Sequence, residues 1–246
     1  MSADVFQISQ QRQALFVSGY IMRHLLIIMF LFAFVQVIGQ KKQCFCDIDT
    51  LMNGATISCD TKVFKNKSKL YWQYNCDRIW LTLENIKGQK KVIDEVEIGL
   101  YGYTYRLGYY LIKEFDKSLL FRSGCPANGP CVYTLVDKSK GKKIKEFNQL
   151  ICINTDVKWN NPKNYKFDFI VYFSEDYESL KIYYVDRKQT LTIPFSAKKN
   201  NLTAVVPEYQ FGNMTLNNNL LNLFYTTTNN KNLILKVNLQ NKKYSR

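Results

Sequence analysis

Residues 180–195 read LKIYYVDRKQTLTIPF, and the fold class turns on this stretch. Leu180 to Val185 is dense in β-branched and aromatic side chains, which favour extended backbone. Asp186 to Gln189 is polar and turn-like, and after it Leu191, Ile193 and Phe195 alternate with Thr and Pro. Two apolar segments on either side of a short polar turn form a β-hairpin, not a helix, because the second repeats every two residues.

The same arrangement recurs on both sides. Ile79 to Glu84 leads through a Lys-Gly turn to Lys90–Ile93. Cys131 to Asp137 leads through Lys-Ser-Lys-Gly to Lys142–Ile144, and Leu221 to Thr226 leads through an Asn-rich turn to Leu233–Val237. Further strand segments precede two of them, at Leu107–Phe115, Ser118–Arg122 and Phe167–Ser174. Ile144, Phe147, Leu150 and Ile151 have helical spacing and predict one short helix. The chain is therefore predicted to be all-β, an antiparallel meander of repeated hairpins. A recurrence of roughly 40–50 residues is that of β-propeller blades and implies about four units. A β-sandwich gives the same pattern and is the alternative.

The longest apolar run lies near the start. Leu25 to Ile38 (LLIIMFLFAFVQVI) follows Arg23 and His24 and ends in the small residue Gly39. Its length matches a signal-peptide core and falls short of a bilayer span. This predicts an N-terminal signal helix within residues 1–39, cleavage between Gly39 and Gln40, and a translation start at Met22. It also predicts one all-β domain from 40 to 246, whose first part, 40–76, is cysteine-rich. An uncleaved signal anchor is the alternative. The expected location is secreted or periplasmic, with membrane contact only through the signal segment. The Asn- and Lys-rich style resembles that of exported proteins of Gram-negative bacteria with AT-rich genomes. In such a setting the sequons at Asn66, Asn201 and Asn213 are read as coincidence.

Seven cysteines lie after residue 39: Cys44, Cys46, Cys59, Cys76, Cys125, Cys131 and Cys152. In an exported chain such residues point to disulfides. Cys125-Pro-Ala-Asn-Gly-Pro-Cys131 carries two prolines and an Asn-Gly pair that fold the chain back on itself. A Cys125–Cys131 bridge is expected there, with further bridges among Cys44, Cys46, Cys59 and Cys76. Their spacing matches no common zinc pattern, so no metal is expected.

His24 is the only histidine, and it lies in the signal segment. The body therefore has no imidazole for a Ser-His-Asp or Cys-His pair and no histidine ligand for zinc. No nucleotide-binding glycine loop occurs, and no cofactor is expected. The expectation is a non-catalytic module that binds a protein or glycan or serves a structural role in the envelope. One alternative is a carbohydrate-active hydrolase using paired carboxylates; another is an inhibitor or immunity-type protein. Tyr101, Tyr103 and Tyr105 alternate beside Arg106 in GLYGYTYRLGYY, so a strand would present them on one side as a binding face. The net charge of +14 is mostly lysine. The lysines cluster in predicted turns, at 65–69, 87–91 and 138–143. Such lysines keep sheet surfaces soluble and attract anionic partners. Nucleic acid is not an expected partner, because the chain is exported.

Overall fold

A computed structural model describes Phe45 and residues 59–97, 108–125, 131–153, 168–217, 219–239 and 244–245. Contacts divide the chain into two units, Met1–Gln43 and Cys44–Arg246. The first lies wholly outside the described residues, and with it Met22, His24, the signal segment and its cleavage point.

The second unit is all-β, with four antiparallel sheets that follow one another along the chain and none of which closes on itself. The first contains β1 (Lys62–Val63), β2 (Lys69–Tyr74), β3 (Arg78–Glu84) and β4 (Lys90–Glu97). The second contains β5 (Tyr110–Glu114), β6 (Ser118–Gly124), β7 (Val132–Asp137) and β8 (Lys143–Phe147). The third contains β9 (Leu150–Ile153), β10 (Phe169–Phe173), β11 (Ser179–Tyr184) and β12 (Gln189–Pro194), with β16 (Tyr244–Ser245) on its edge. The fourth contains β13 (Phe211–Asn217), β14 (Leu220–Thr226) and β15 (Asn232–Asn238). Each of the four predicted hairpins is present, as β3–β4, β7–β8, β11–β12 and β14–β15.

Alternation along the strands explains how the sheets are joined. In β10, Phe169, Val171 and Phe173 enter a core shared with Met214, Leu216, Leu221 and Leu223 of the fourth sheet. Ile170 and Tyr172 point the other way, into a core shared with Leu120, Leu135 and Phe147 of the second sheet. From the second sheet, Leu119, Phe121 and Val136 reach Leu70, Leu81 and Leu83 of the first. The second and third sheets are thus buried on both faces, and the first and fourth on one. Among the described residues no core joins the fourth sheet to the first.

The helix predicted over Ile144–Ile151 is absent. β8 and β9 occupy that stretch, with Asn148 and Gln149 in the turn between them. Phe147 and Ile153 belong to the core between the second and third sheets, and Cys152 to the next. A two-residue turn between two short strands reproduces the three-residue apolar spacing of a helix.

Candidate functional site

Hydrogen bonds between turns show which strand ends lie together. Asn85 Nδ2, in the β3–β4 turn, donates to Ser139 O in the β7–β8 turn at 2.9 Å. The Lys138 amide donates to Lys117 O in the β5–β6 turn at 3.0 Å, and the Lys65 amide to Glu114 Oε1 at 3.2 Å. Lys188, in the β11–β12 turn, acts electrostatically on Asp137. One end of the first three sheets therefore gathers turns 64–67, 85–89, 115–117, 138–142 and 185–188.

That end is basic. Lys65, Lys67 and Lys117 lie in its outer turns; Lys87, Lys90 and Lys91 come from the β3–β4 hairpin; Lys138, Lys140, Lys142 and Lys188 come from the next two. Glu84, Glu114, Asp116, Asp137, Asp168 and Asp186 stand against them. Several of these acids are already engaged. Glu84 is held below the usual carboxylate range by hydrogen bonds from Lys69 and Tyr71. Burial presses the Asp137 carboxyl upward, but hydrogen bonds from the Ser139 hydroxyl and the amides of Lys140 and Ser139 outweigh it and leave the group lowered. Among the described residues the opposite strand ends are close to balanced, with Asp77, Glu95, Glu97, Glu146, Glu175, Asp176 and Glu178 against Arg78, Arg122, Lys145, Lys181, Lys198, Lys199 and Lys231.

Between the β3–β4 and β7–β8 turns lies a notch of about 280 Å³, lined by Asn85, Gln89, Lys90, Lys91, Ser139, Lys140 and Gly141. Gly141 shapes it. Its φ is +62°, and a Cβ there would lie 2.7 Å from Lys91 Cγ. Lys138 belongs to the floor: its side chain is 3 % exposed, and Nζ pairs with Glu114 Oε1 at 2.7 Å. Nζ also donates to Asp116 O at 3.2 Å and lies 5.5 Å from the Phe64 ring centroid.

A larger cleft, about 490 Å³, opens at the opposite end between the β8–β9 and β10–β11 turns. Lys145, Lys181, Glu146, Gln149, Tyr172, Glu175 and Asp176 line it. Lys145 Nζ sits 5.9 Å over the Tyr172 ring and 5.3 Å over Tyr183, and burial and then Lys181 depress its pKa. Burial pushes the Tyr172 hydroxyl up to about 12. Asp176 accepts from the Ser174 hydroxyl at 2.5 Å and from the Glu178 amide at 3.0 Å, which hold it ionised as a turn cap. Glu146 pairs with Lys143 Nζ at 2.7 Å.

Two carboxyls are pushed up by burial, as a general acid requires. Asp94, on β4, accepts the Tyr109 amide at 2.7 Å. Glu208 lies in the short 3₁₀ helix Pro207–Gln210, which touches β9 and β13. The second sheet stands between these elements, so the two carboxyls do not form a pair. Glu208 is 3 % exposed, and both its oxygens lack a hydrogen-bond partner. Sequence reasoning missed it: the residues around it in VVPEYQF carry no periodicity.

Glu208 gives a clear expectation. Its folded pKa lies above the ordinary 4.5. Protonation of Glu208 therefore contributes stability that is whole below the unfolded value and is lost as pH rises through the folded one. At pH 7, Glu208→Gln should raise stability by roughly 1–3 kcal/mol, because a buried charge without a partner is removed. At pH 4 the gain should vanish. Urea unfolding at both pH values checks this, and an equal gain at both would refute the burial account.

The predicted tyrosine face, Tyr101, Tyr103 and Tyr105 with Arg106, lies outside the described residues. Of the aromatic residues around Cys76, Tyr74 is buried and Trp72 packs on the core between the first two sheets. Tyr71 and Trp80 stand on the outer face of the first sheet. Trp80 Nε1 donates to Gln73 Oε1 at 3.1 Å, and the Arg78 guanidinium lies 5.3 Å over the Trp80 ring. The Cys125–Cys131 disulfide is present. Cys59 and Cys76 are each disulfide-bonded, Cys44 and Cys46 lie outside the described residues, and Cys152 is a buried thiol directed at Met214 Sδ, 3.3 Å away. No family model, curated protein or solved structure matches the chain.

Proposed function

We propose that the chain is an exported, non-catalytic β module that binds a protein or glycan outside the cytoplasm. The basic end of the first three sheets supports this reading most directly, because among the described residues it concentrates positive charge from several turns on one surface while the opposite end is balanced. A surface that served solubility alone would gain nothing from that asymmetry. The bonded Cys59, Cys76, Cys125 and Cys131 agree with an oxidising compartment. In this reading the signal segment delivers the chain to the periplasm or the exterior, and the four sheets are propeller-like units in chain order, left open between last and first; the alternative is stacked sandwiches.

The 490 Å³ cleft favours a second reading, a carbohydrate-active hydrolase, because Glu146, Glu175 and Asp176 meet there beside Tyr172. Two of those three carboxylates are already engaged, by Lys143 and by the Ser174 hydroxyl.

One experiment separates the readings. The full chain is expressed in an exporting host, its N-terminus and thiols are determined, and the product is tested on a glycan array and for release of reducing ends. The expected result is a chain beginning at Gln40, with bonded cysteines, array binding and no release. An intact, reduced cytosolic chain would sink the export reading, and release of reducing ends would replace the binding module with the hydrolase.

A further inference from the structure

We propose that the notch between the β3–β4 and β7–β8 turns is a subsite for the carboxylate or sulfate groups of an anionic polysaccharide. The inference rests on the binding-module reading and names its ligand class. Three exposed ammonium groups, Lys90, Lys91 and Lys140, line a concavity of about 280 Å³. Among the described residues none of the three has a carboxylate within 4 Å. The notch therefore presents net positive charge, with Glu84 acting on Lys90 from the adjoining strand end, beside the neutral side chain of Gln89.

The turns themselves are rigidly held. Asn85 Oδ1 accepts the amides of Lys87 and Gln89, Asp137 Oδ1 accepts those of Ser139 and Lys140, and Asn85 Nδ2 ties the two turns together. Lysine stems are flexible, but they spring from a preorganised base, which reduces the ordering cost of binding. The buried Lys138 is neutralised by Glu114 and belongs to the base.

The charge continues beyond the notch. Lys188 brings the third sheet's turn beside Asp137, and packed sheets stand about 10 Å apart. Positive charge from the third sheet's turn thus adds to that of the notch. The positive groups of the notch are lysines, point charges that suit spaced single anions better than the forked recognition of phosphate. Among the described residues no aromatic side chain lines the notch on which a nucleobase could stack. Ile86 is the one large apolar side chain exposed on these turns among the described residues, which gives little to insert into a bilayer.

The test uses the full chain as exported, with polygalacturonate and dextran sulfate as probes, neutral dextran as control, and vesicles containing phosphatidylserine. Binding is read by calorimetry at two salt concentrations. We expect both polyanions to bind and neutral dextran not to, with affinity falling about tenfold or more when screening shortens from the Debye length at ~50 mM salt to that at ~300 mM. The triple variant Lys90→Gln, Lys91→Gln, Lys140→Gln should lose about tenfold or more. The control Lys198→Gln, Lys199→Gln, Lys231→Gln removes the same charge from the opposite end and should lose less than about threefold. Equal losses would mean that net charge alone binds, and would overturn the site. Binding to vesicles but not to polymers would overturn the ligand class. Array binding to neutral glycans with the lysine triple unaffected would overturn this subsite and leave the module reading intact. Failure of every glycan and protein to bind would sink both.

Discussion

Replacing Lys138 by methionine should destabilise the chain by about 3–5 kcal/mol, because it takes the buried ammonium partner from a largely buried carboxylate. Lys138 Nζ lies 2.7 Å from Glu114 Oε1, and their side chains are 3 % and 24 % exposed. Burial pushes Glu114 upward, but hydrogen bonds from Lys138 and from the Lys65 amide leave its pKa lowered. The stabilisation from Glu114 is therefore whole above the unfolded value of 4.5 and lost as pH falls through the folded one. In Lys138→Met the same carboxylate loses its principal partner. The double variant Lys138→Met, Glu114→Leu should recover much of the loss, since an apolar pair of similar volume can replace a buried ion pair. Thermal unfolding should show a drop of roughly 10 °C for the single variant. A single variant within 1 kcal/mol of the parent would mean that the pair is solvated and the turns are held by their backbone bonds.

An effect of comparable size is expected at Phe173. Its ring lies 5.6 Å from Tyr177, 6.1 Å from Phe195 and 5.8 Å from Phe211, and the residue is 1 % exposed. It thus connects β10 to the β10–β11 turn, to the end of β12 and to the start of β13. Phe173→Ala should cost about 3–5 kcal/mol through lost burial and a cavity that rigid neighbours cannot fill. Ile234→Ala, on the outer face of β15 and 48 % exposed, should cost less than about 1 kcal/mol. Urea midpoints for the two variants give the comparison. A small Phe173 effect would imply that the third and fourth sheets are held by contacts other than this aromatic cluster.

Much of the architecture was legible because turn chemistry and strand periodicity act locally. Lys87-Gly88, Lys140-Gly141 and Arg187-Lys188 mark hairpin turns in the sequence, and Gly88, Gly141 and Lys188 take positive φ there. The order of the sheets was also written in the strands, in a form easily overlooked. FIVYF in β10 and LLF in β6 are continuous apolar runs, as strands covered on both faces must be. RIWLTLE in β3 and LLNLFYT in β14 alternate, as strands with one wet face must. The inner and outer sheets differ in that way. The segment Ile144–Ile151 misled because two strands and a two-residue turn repeat the apolar spacing of a helix.

The candidate site was less legible. Each lysine cluster could be assigned to a turn, yet nothing local says that turns from three sheets face the same way. That follows from Asn85 reaching Ser139 across 54 positions of sequence, from the Lys65 amide reaching Glu114, and from Lys188 acting on Asp137. Glu208 was invisible for a related reason, since its burial comes from sheets distant in the chain.

The absence of a core between the fourth sheet and the first, among the described residues, bears on how the molecule comes apart. In a chain of layers coupled only to their neighbours, each inner layer is restrained from two directions and each terminal layer from one. Opening should then begin at the extremities and travel inward, with amide protons of β3 and β14 exchanging before those of β6 and β10.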